Sequence, residues 1–163
     1  MFRNSLAKYW LPSSNEWYKA AYGNLNGTWN NYATGSDSAP TSVASGTAAN
    51  TAVYTPQSGP ADITSAGGLS PWGTMGQGGN VWEWNESAFD GSNNTAGENR
   101  ELRGGSWGST GVGLSASNRN NLNPANSNSD NGLGFRVASV PEPSALSLLA
   151  IGLGGLALVR RRK

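Results

Sequence analysis

The side chains available for chemistry in this 163-residue chain are carboxylates, arginines and tryptophans, because it contains no cysteine and no histidine. Without cysteine there are no thiol nucleophiles, disulfides or thiolate metal ligands, and without histidine the usual general base is missing. From the remaining charged groups we predict ion pairs and contacts to loop carbonyls. The arginines would have to converge in the fold to bind an anion. The candidates are Arg103, Arg119, Arg136, Glu83, Glu86 and Glu101.

Only 13% of the residues are charged, but seven tryptophans are too many for a disordered polar chain. They predict a compact domain with aromatic anchors. Trp82, Trp84 and Trp107 lie in apolar stretches, which favours core positions over platforms for carbohydrate. The asparagine-rich run 118–131 could offer amides to sugar hydroxyls, but turn formation is the more common use of asparagine.

One short helix is predicted near the start of the chain. Ser13 and Glu16 have the spacing of a capping box, and Trp17, Ala20 and Ala21 place an apolar face on residues 16–22. Apolar stretches predict buried strands at 81–84, 102–107 and 134–138.

Residues 23–71 show no sustained period and predict long loops, with a brief extended piece at 52–54. A loop region of this length needs anchors. We expect them to be Trp29, Tyr32, Tyr54 or a bound cation.

The last 24 residues differ in charge from the rest. Seven basic and nine acidic residues up to position 139 give a balance of −2, whereas four basic residues and one acidic residue give the tail +3. No basic stripe with interleaved aromatics crosses the body, so we expect no nucleic-acid partner. Residues 144–159 carry no charge, and a helix of that length would cover about 24 Å of a ~30 Å hydrocarbon core. The basic residues at 160–163 favour a transmembrane helix over a buried core helix.

The tail begins with Val140, Pro141, Glu142 and Pro143. VPEP, an apolar stretch and a terminal arginine cluster, in that order, resemble the PEP-CTERM sorting signal of Gram-negative bacteria. The resemblance implies export to the cell envelope or the extracellular space, with an exosortase-type protease as partner and 144–159 as a temporary membrane anchor. Residues 1–8 lack the apolar run of a signal peptide, which predicts that an N-terminal portion is missing.

Four motifs in the body carry a second resemblance: LPSSNEWYKAAY at 11–22, GGNVWEW at 78–84, LRGGSW at 102–107 and GFRVAS at 134–139. Their order and spacing resemble the formylglycine-generating enzyme family, also called the sulfatase-modifying factor domain. The resemblance implies an α+β fold for residues 1–139, a loop-rich variant of the C-type lectin fold with small antiparallel sheets. Residues 140–163 would then be the sorting signal, with a C-terminal transmembrane helix at 144–159.

The family's oxidation chemistry does not carry over to this chain. That reaction uses copper, oxygen and two cysteines a few residues beyond the GGSW block, whereas residues 108–113 read GSTGVG. A hydroxyl has neither the low pKa of a thiol nor its softness toward copper(I). Family members that form sulfoxides at iron need histidines, which are also absent. We therefore predict no copper cofactor and no enzymatic activity.

The resemblance also implies a calcium site below the WEW strand. Its ligands would be the backbone carbonyls of Gly79 and Val81 and the carboxylate of Glu83. The upstream side-chain ligand falls on Gly76, which supplies none, so Gln77 or water would have to replace it. We therefore expect calcium binding here to be weak.

A second calcium site of the family would begin at Asn50, with Asp62 as a loose candidate for a further ligand. For Glu83 the alternative is a structural carboxylate, satisfied by backbone amides or by Arg103. The sequence leaves these two roles of Glu83 equally open.

These observations together predict an exported, non-catalytic binding module of the bacterial envelope or extracellular matrix. Its partner would be a glycan, a matrix polysaccharide or another surface protein. Two alternatives stay open: a degenerate enzyme that still binds its substrate peptide, and a purely structural matrix protein.

Overall fold

The computed structural model describes residues 3, 4, 6–126 and 132–139, so the predictions for 140–163 lie outside the described residues. Its regular elements are short and separated by long loops. In chain order they are β1 (Tyr9–Trp10), α1 (Ser14–Tyr22), β2 (Thr41–Ser42), β3 (Thr51–Ala52), β4 (Trp82–Ala88), β5 (Arg100–Arg103), β6 (Asn120–Leu122), β7 (Leu133–Phe135) and β8 (Ala138–Ser139). Two 3₁₀ turns lie at Gly111–Leu114 and Pro124–Asn126. The predicted loop-rich mixture of helix and strand is confirmed.

Helix α1 starts with the predicted capping box. The Ser13 hydroxyl accepts from the backbone nitrogen of Glu16 at 3.3 Å, and the Glu16 carboxylate accepts from the backbone nitrogen of Ser13 at 2.8 Å. The helix buries Trp17, Ala21 and Tyr22. It ends at Gly23, whose backbone N–H still donates to the Lys19 carbonyl.

The main sheet has four strands in the order β6-β5-β4-β7. Strands β4 and β5 are antiparallel, with Glu83 opposite Arg103 and Trp84 opposite Leu102. Strands β5 and β6, and β1 and β8, also pair antiparallel, as expected, whereas β7 runs parallel to β4 and β2 pairs parallel with β3. The predicted strands at 81–84, 102–107 and 134–138 each supply part of an observed strand.

The predicted strand at 102–107 ends early, because Gly104 turns the chain away after Arg103. Gly104 has φ +93°, and a Cβ there would lie 2.7 Å from the Gln77 carbonyl oxygen. Gly79 has φ +80°, and a Cβ there would lie 2.2 Å from the Val53 carbonyl oxygen. The Gly79 N–H donates to the Gly104 carbonyl at 2.8 Å. The glycines of the GGN and RGG motifs therefore let two backbones approach closely.

The hydrophobic core consists of two small clusters. One joins α1 to Ala33 and Ala116, and the other contains Ala52, Tyr54 and Leu114. Tyr32 and Tyr54 anchor the long loop region as predicted, whereas Trp29 remains 53% exposed.

The prediction that Trp82, Trp84 and Trp107 are core residues is wrong, because all three are only half-buried. Strand β4 instead buries Glu83 and Asn85, which alternate with the tryptophans. Helix α1 contacts this strand, and the indole of Trp17 reaches the Glu83 carboxylate. The buried carboxylate of Glu83 is therefore hydrogen-bonded by a core residue of α1.

Within the described ranges, no helix has both the length and the apolar character needed to cross a membrane. The predicted transmembrane segment 144–159 lies outside those ranges.

Candidate functional site

Glu83 accepts more side-chain hydrogen bonds than any other carboxylate on β4, and it is 5% exposed. Trp17 donates from Nε1 to Glu83 Oε2 at 2.5 Å. Arg136 donates from Nε to Oε2 and from Nη2 to Oε1, both at 2.5 Å. This two-pronged arrangement is the strongest geometry for an arginine and a carboxylate. Both carboxylate oxygens are therefore in use.

The partner of Glu83 is Arg136, and not the Arg103 proposed from the sequence. Arg136 follows β7, which lies parallel to β4 with Gly134 opposite Glu83. This placement depends on a strand pairing across about fifty positions, which periodicity alone does not indicate. The Arg136 Nη2 also donates to the Met75 carbonyl at 3.1 Å.

Arg103 and Arg119 meet at Glu101, whose side chain is 3% exposed. Arg103 Nε donates to Glu101 Oε1, and Arg119 Nη2 lies 3.0 Å from Glu101 Oε2. Arg103 also donates to two loop carbonyls, those of Ala116 and Asn118, at 3.0 Å each. The predicted role of these arginines, pairing with glutamates and satisfying carbonyls, is confirmed.

Two of the sequence-predicted metal ligands, Val81 and Glu83, line one cavity of about 550 Å³ together with Gly76 and Arg136. Gly79 does not line it, because its backbone packs against Val53 and Gly104.

Asn50 and Asp62 are bonded to other residues. Asn50 has φ +53° and accepts from the Thr34 hydroxyl at 2.8 Å. Asp62 accepts from the hydroxyl and backbone nitrogen of Thr64, which lowers the pKa of the Asp62 carboxyl.

The residues around Glu83 do not fit a calcium ion. Calcium takes six to eight oxygen ligands, and the Arg136 guanidinium already fills both oxygens of Glu83 with a positive charge. Across the described parts of the chain, no group of three or more acidic side chains could hold a metal.

The stretch that would carry the family's cysteines forms a tight turn. The Ser109 hydroxyl accepts from the Ser106 backbone nitrogen at 2.9 Å, and the Gly113 N–H donates to the Thr110 carbonyl at 2.9 Å. Leu114, at the end of the turn, is buried against the second core cluster. The polar groups of this turn are hydroxyls and backbone amides, and the Ser109 hydroxyl is already hydrogen-bonded to the backbone of Ser106.

A second cavity, of about 590 Å³, lies between β4 and the segment that precedes α1. We call it the tryptophan cavity and define it by Tyr9, Trp10, Trp84, Asn85, Glu86 and Arg100. Sequence reasoning missed it, because Trp84 was assigned to the core and Trp10 was given no role. The available signal was the aromatic pair at 9 and 10 beside the first turn of a helix.

Two polar atoms on the residues of this cavity are buried without a partner. Within the described parts of the protein, Trp10 Nε1 and Asn85 Oδ1 have no hydrogen-bond partner. Asn85 is 1% exposed and uses its amide nitrogen to bond the Glu83 carbonyl at 3.1 Å. Buried polar groups are nearly always paired in folded proteins, so both atoms need an explanation.

Arg3 closes one side of the tryptophan cavity. Its guanidinium lies 4.4 Å from the centre of the Trp10 ring and bonds both Glu16 and Glu86. The hydrogen bonds from Arg3 lower the pKa of Glu16 from its ordinary 4.5 to about 2.

The sequence matches two family models. Residues 1–140 match the sulfatase-modifying factor enzyme 1-like domain, and residues 139–163 match the PEP-CTERM protein-sorting motif. No curated protein matches the sequence.

Two solved structures are similar to this chain. The crystal structure of CarF is 26% identical with a TM-score of 0.59, covering 85% of this chain and 51% of that chain. Treponema denticola variable protein 1 is 19% identical with a TM-score of 0.48, covering 82% of this chain and 48% of that chain. The chain thus spans about half the length of these two structures.

Proposed function

The chain belongs to the sulfatase-modifying factor enzyme 1-like domain family and carries a PEP-CTERM sorting motif, and from this premise we propose a non-catalytic binding module. The sorting motif indicates export to the cell envelope or the extracellular space. The module would bind a glycan, a matrix polysaccharide or another surface protein there.

The observation that carries the proposal is the turn at residues 108–113. It contains no thiol, its Ser109 hydroxyl bonds the backbone of Ser106, and the whole chain has neither cysteine nor histidine. A family member with this turn keeps the scaffold and lacks the groups for thiolate or imidazole chemistry.

The test compares binding with catalysis on the full chain. A glycan array and a sulfatase peptide that contains the target cysteine are each incubated with the protein, and the peptide is then weighed by mass spectrometry. We expect the protein to bind a glycan on the array and the peptide mass to stay unchanged. Conversion of the peptide cysteine to formylglycine would contradict the proposal, and peptide retention without conversion would favour the degenerate enzyme.

The sorting motif supports a proposal for the tail. Pro141 and Pro143 cannot donate backbone hydrogen bonds, so residues 140–143 would stay extended and accessible to an exosortase-type protease while 144–159 crosses the membrane. The mature protein would then end near residues 140–144. Intact mass spectrometry of the surface form tests this, and a form that still ends at Lys163 would show a permanent anchor instead.

The binding of calcium at Gly79, Val81, Glu83 and Asn50 has weaker support than the proposed binding function. The contacts of Glu83 with Arg136 and Trp17 favour the structural role of this carboxylate. Copper has no thiolate ligand in this chain, so we propose that the protein works without it.

A further inference from the structure

We propose that the folded domain rests on the lipid bilayer while the chain is anchored. An exposed apolar patch, which we call the tail-side patch, makes this contact and consists of Tyr9, Ile63, Phe135 and Val137. This inference rests on the proposed crossing of the membrane by residues 144–159. It goes further by giving the domain its own lipid-contacting surface, which would hold residues 140–143 at the bilayer.

The side chains of the tail-side patch are large, apolar and at least 60% exposed. Single exposed apolar residues are common on folded domains, whereas a contiguous group of them marks an interaction surface. Such a group lowers its free energy when it leaves water. The four side chains of the patch form a contiguous group of this kind.

Three members of the patch border one cavity. Ile63, Phe135 and Val137 all line the cavity of about 550 Å³ beside β7. Exposure alternates along this part of the chain, because Phe135, Val137 and Ser139 are exposed and the residues between them are half-buried. This is the alternation of an extended chain with one side turned to solvent. Phe135 and Val137 therefore face the same way as Ser139.

Tyr9 adds the fourth side chain from the neighbouring strand. It lies directly opposite Ser139 in the antiparallel pair of β1 and β8. Side chains that lie opposite each other in such a pair are about 5 Å apart and on the same face. The patch thus extends to residue 139, where the match to the sorting motif begins.

The charges near the patch are compatible with contact to lipid. Arg136 is the charged residue of the run 133–139, and its guanidinium donates to the Glu83 carboxylate behind the patch. Asp62, next to Ile63, is exposed and would stay in the polar headgroup layer. The arginine charge is therefore already paired, and the aspartate charge stays in water.

The connection between the domain and the proposed membrane segment is short. Ser144, where the uncharged segment begins, lies five positions after Ser139. A fully extended chain of this length reaches about 18 Å at most. The headgroup layer takes about 5–8 Å of this reach, which leaves about 10–13 Å between Ser139 and the surface of the bilayer. A domain of this length is about 35 Å across, so it cannot stand clear of the membrane.

This short connection selects the bilayer as the occupant of the patch. A gap of about 10–13 Å is little wider than a single helix, so a folded partner does not fit between the end of β8 and the membrane. The uncharged segment 144–159 is itself inside the bilayer in this arrangement. The interface also suits Tyr9, because tyrosine rings are enriched at the level of the headgroups.

Fluorescence quenching by a modified lipid tests the contact. The chain contains no cysteine, so a single introduced cysteine carries a thiol-reactive bimane label at one defined position. The full chain is reconstituted into phosphatidylcholine vesicles in which some lipids carry a nitroxide near the headgroup. Flotation in a density gradient reports whether the chain is inserted. Phosphatidylcholine has no net charge and does not repel Asp62.

The main comparison is between exposed positions inside and outside the patch. Val137→Cys labels the patch, whereas Val112→Cys and Leu25→Cys label two exposed positions that do not belong to it. The nitroxide lipid should quench the label at position 137 about threefold more strongly than the other two, because apolar groups at an interface sink about 5–10 Å into it.

A double variant shows whether the patch itself makes the contact. Ile63→Ser with Phe135→Ser removes two apolar side chains and should reduce quenching at position 137 to the level of the reference positions. The matched control, Leu25→Ser with Leu69→Ser, removes two exposed leucines outside the patch and should leave the quenching unchanged. Melting temperatures verify that both double variants are folded, and the comparison of label positions does not depend on them.

Each outcome supports or overturns the inference. Stronger quenching at position 137 that is lost in the patch variant supports it. An inserted chain with equal quenching at all three positions, or with quenching that survives the patch variant, overturns it and leaves the crossing of the membrane standing. Cross-linking between labelled positions 137 of two copies, without quenching by the lipid, overturns it in favour of a second copy. A chain that does not float with the vesicles overturns the membrane crossing and the inference together, and the glycan array then decides the proposed binding function separately.

Discussion

Two tryptophans in different regions of this domain differ in whether their buried indole N–H has a hydrogen-bond partner. Trp17 Nε1 donates to the Glu83 carboxylate at 2.5 Å, and Arg136 donates further hydrogen bonds to the same carboxylate. Trp10, beside the tryptophan cavity, buries the same group without a partner among the described residues. A satisfied polar cluster stabilises the fold, whereas a buried donor without a partner costs stability.

Strand β4 supplies both regions. Glu83 lies in the satisfied cluster and Trp84 lines the cavity, although the two residues are neighbours in sequence. Because successive strand residues point to opposite faces, one short motif serves packing on one side and the cavity on the other. Mutations at adjacent positions should therefore have different effects.

The largest expected effect is at the satisfied cluster. Glu83→Gln removes the charge that Arg136 pairs with, and Arg136 is left largely buried, so the free energy of unfolding should fall by about 2–3 kcal/mol. Urea unfolding measures the change. Combining Glu83→Gln with Arg136→Met should cost less than the sum of the single changes, and strict additivity would contradict the coupling.

The next largest effect is the difference in stability loss between removing the Trp17 N–H and removing the Trp10 N–H. Trp17→Phe removes a donor to a buried carboxylate and should cost about 2 kcal/mol or more, whereas Trp10→Phe removes an N–H that has no partner to lose. Urea unfolding of both variants gives the difference. Equal losses would show that Trp10 is as tightly integrated into the fold as Trp17.

The sequence predicted the local features well and the long-range ones poorly. The capping box of Ser13 and Glu16 depends on residues three positions apart, and its structure agrees with the prediction. The burial of Glu83 depends on α1 packing over β4 and on Arg136 arriving from β7, neither of which a local pattern encodes. WEWNESA alternates as a strand should, but Trp82 and Trp84 were expected to be the core residues, whereas Glu83 and Asn85 are the buried ones.

The tryptophan cavity was unpredictable for a related reason. It is lined by Tyr9 and Trp10 on one side and by residues of β4 on the other, and Arg3 links the two sides through its bond to Glu86. The aromatic residues were visible in the sequence, but the face that each presents depends on this tertiary contact.

A smaller effect is expected from the ion pair at the edge of the cavity. The pKa of Glu16 is lowered to about 2, so the stabilisation is present above its ordinary value of 4.5 and is lost as the pH falls through about 2. Because Arg3 and Glu16 are partly exposed, the loss should stay below about 1 kcal/mol. Melting temperatures across this pH range should fall less steeply in Arg3→Gln. An unchanged slope would place the acid sensitivity elsewhere.

The smallest expected effect is that of calcium. Because Arg136 occupies both oxygens of Glu83, millimolar calcium should leave the melting temperature unchanged. A calcium-dependent rise that disappears in Glu83→Gln would establish the calcium site and overturn the structural role of this carboxylate.

The pairing of β1 with β8 has a consequence for when the cavity can be used. Tyr9, on the cavity wall, lies opposite Ser139, the residue that directly precedes the sorting motif's VPEP. If the tail were anchored in a membrane, as proposed above, the bilayer would stand close to this wall and would exclude a large ligand from it. The proposed proteolytic release of the tail would then also make this side of the cavity accessible.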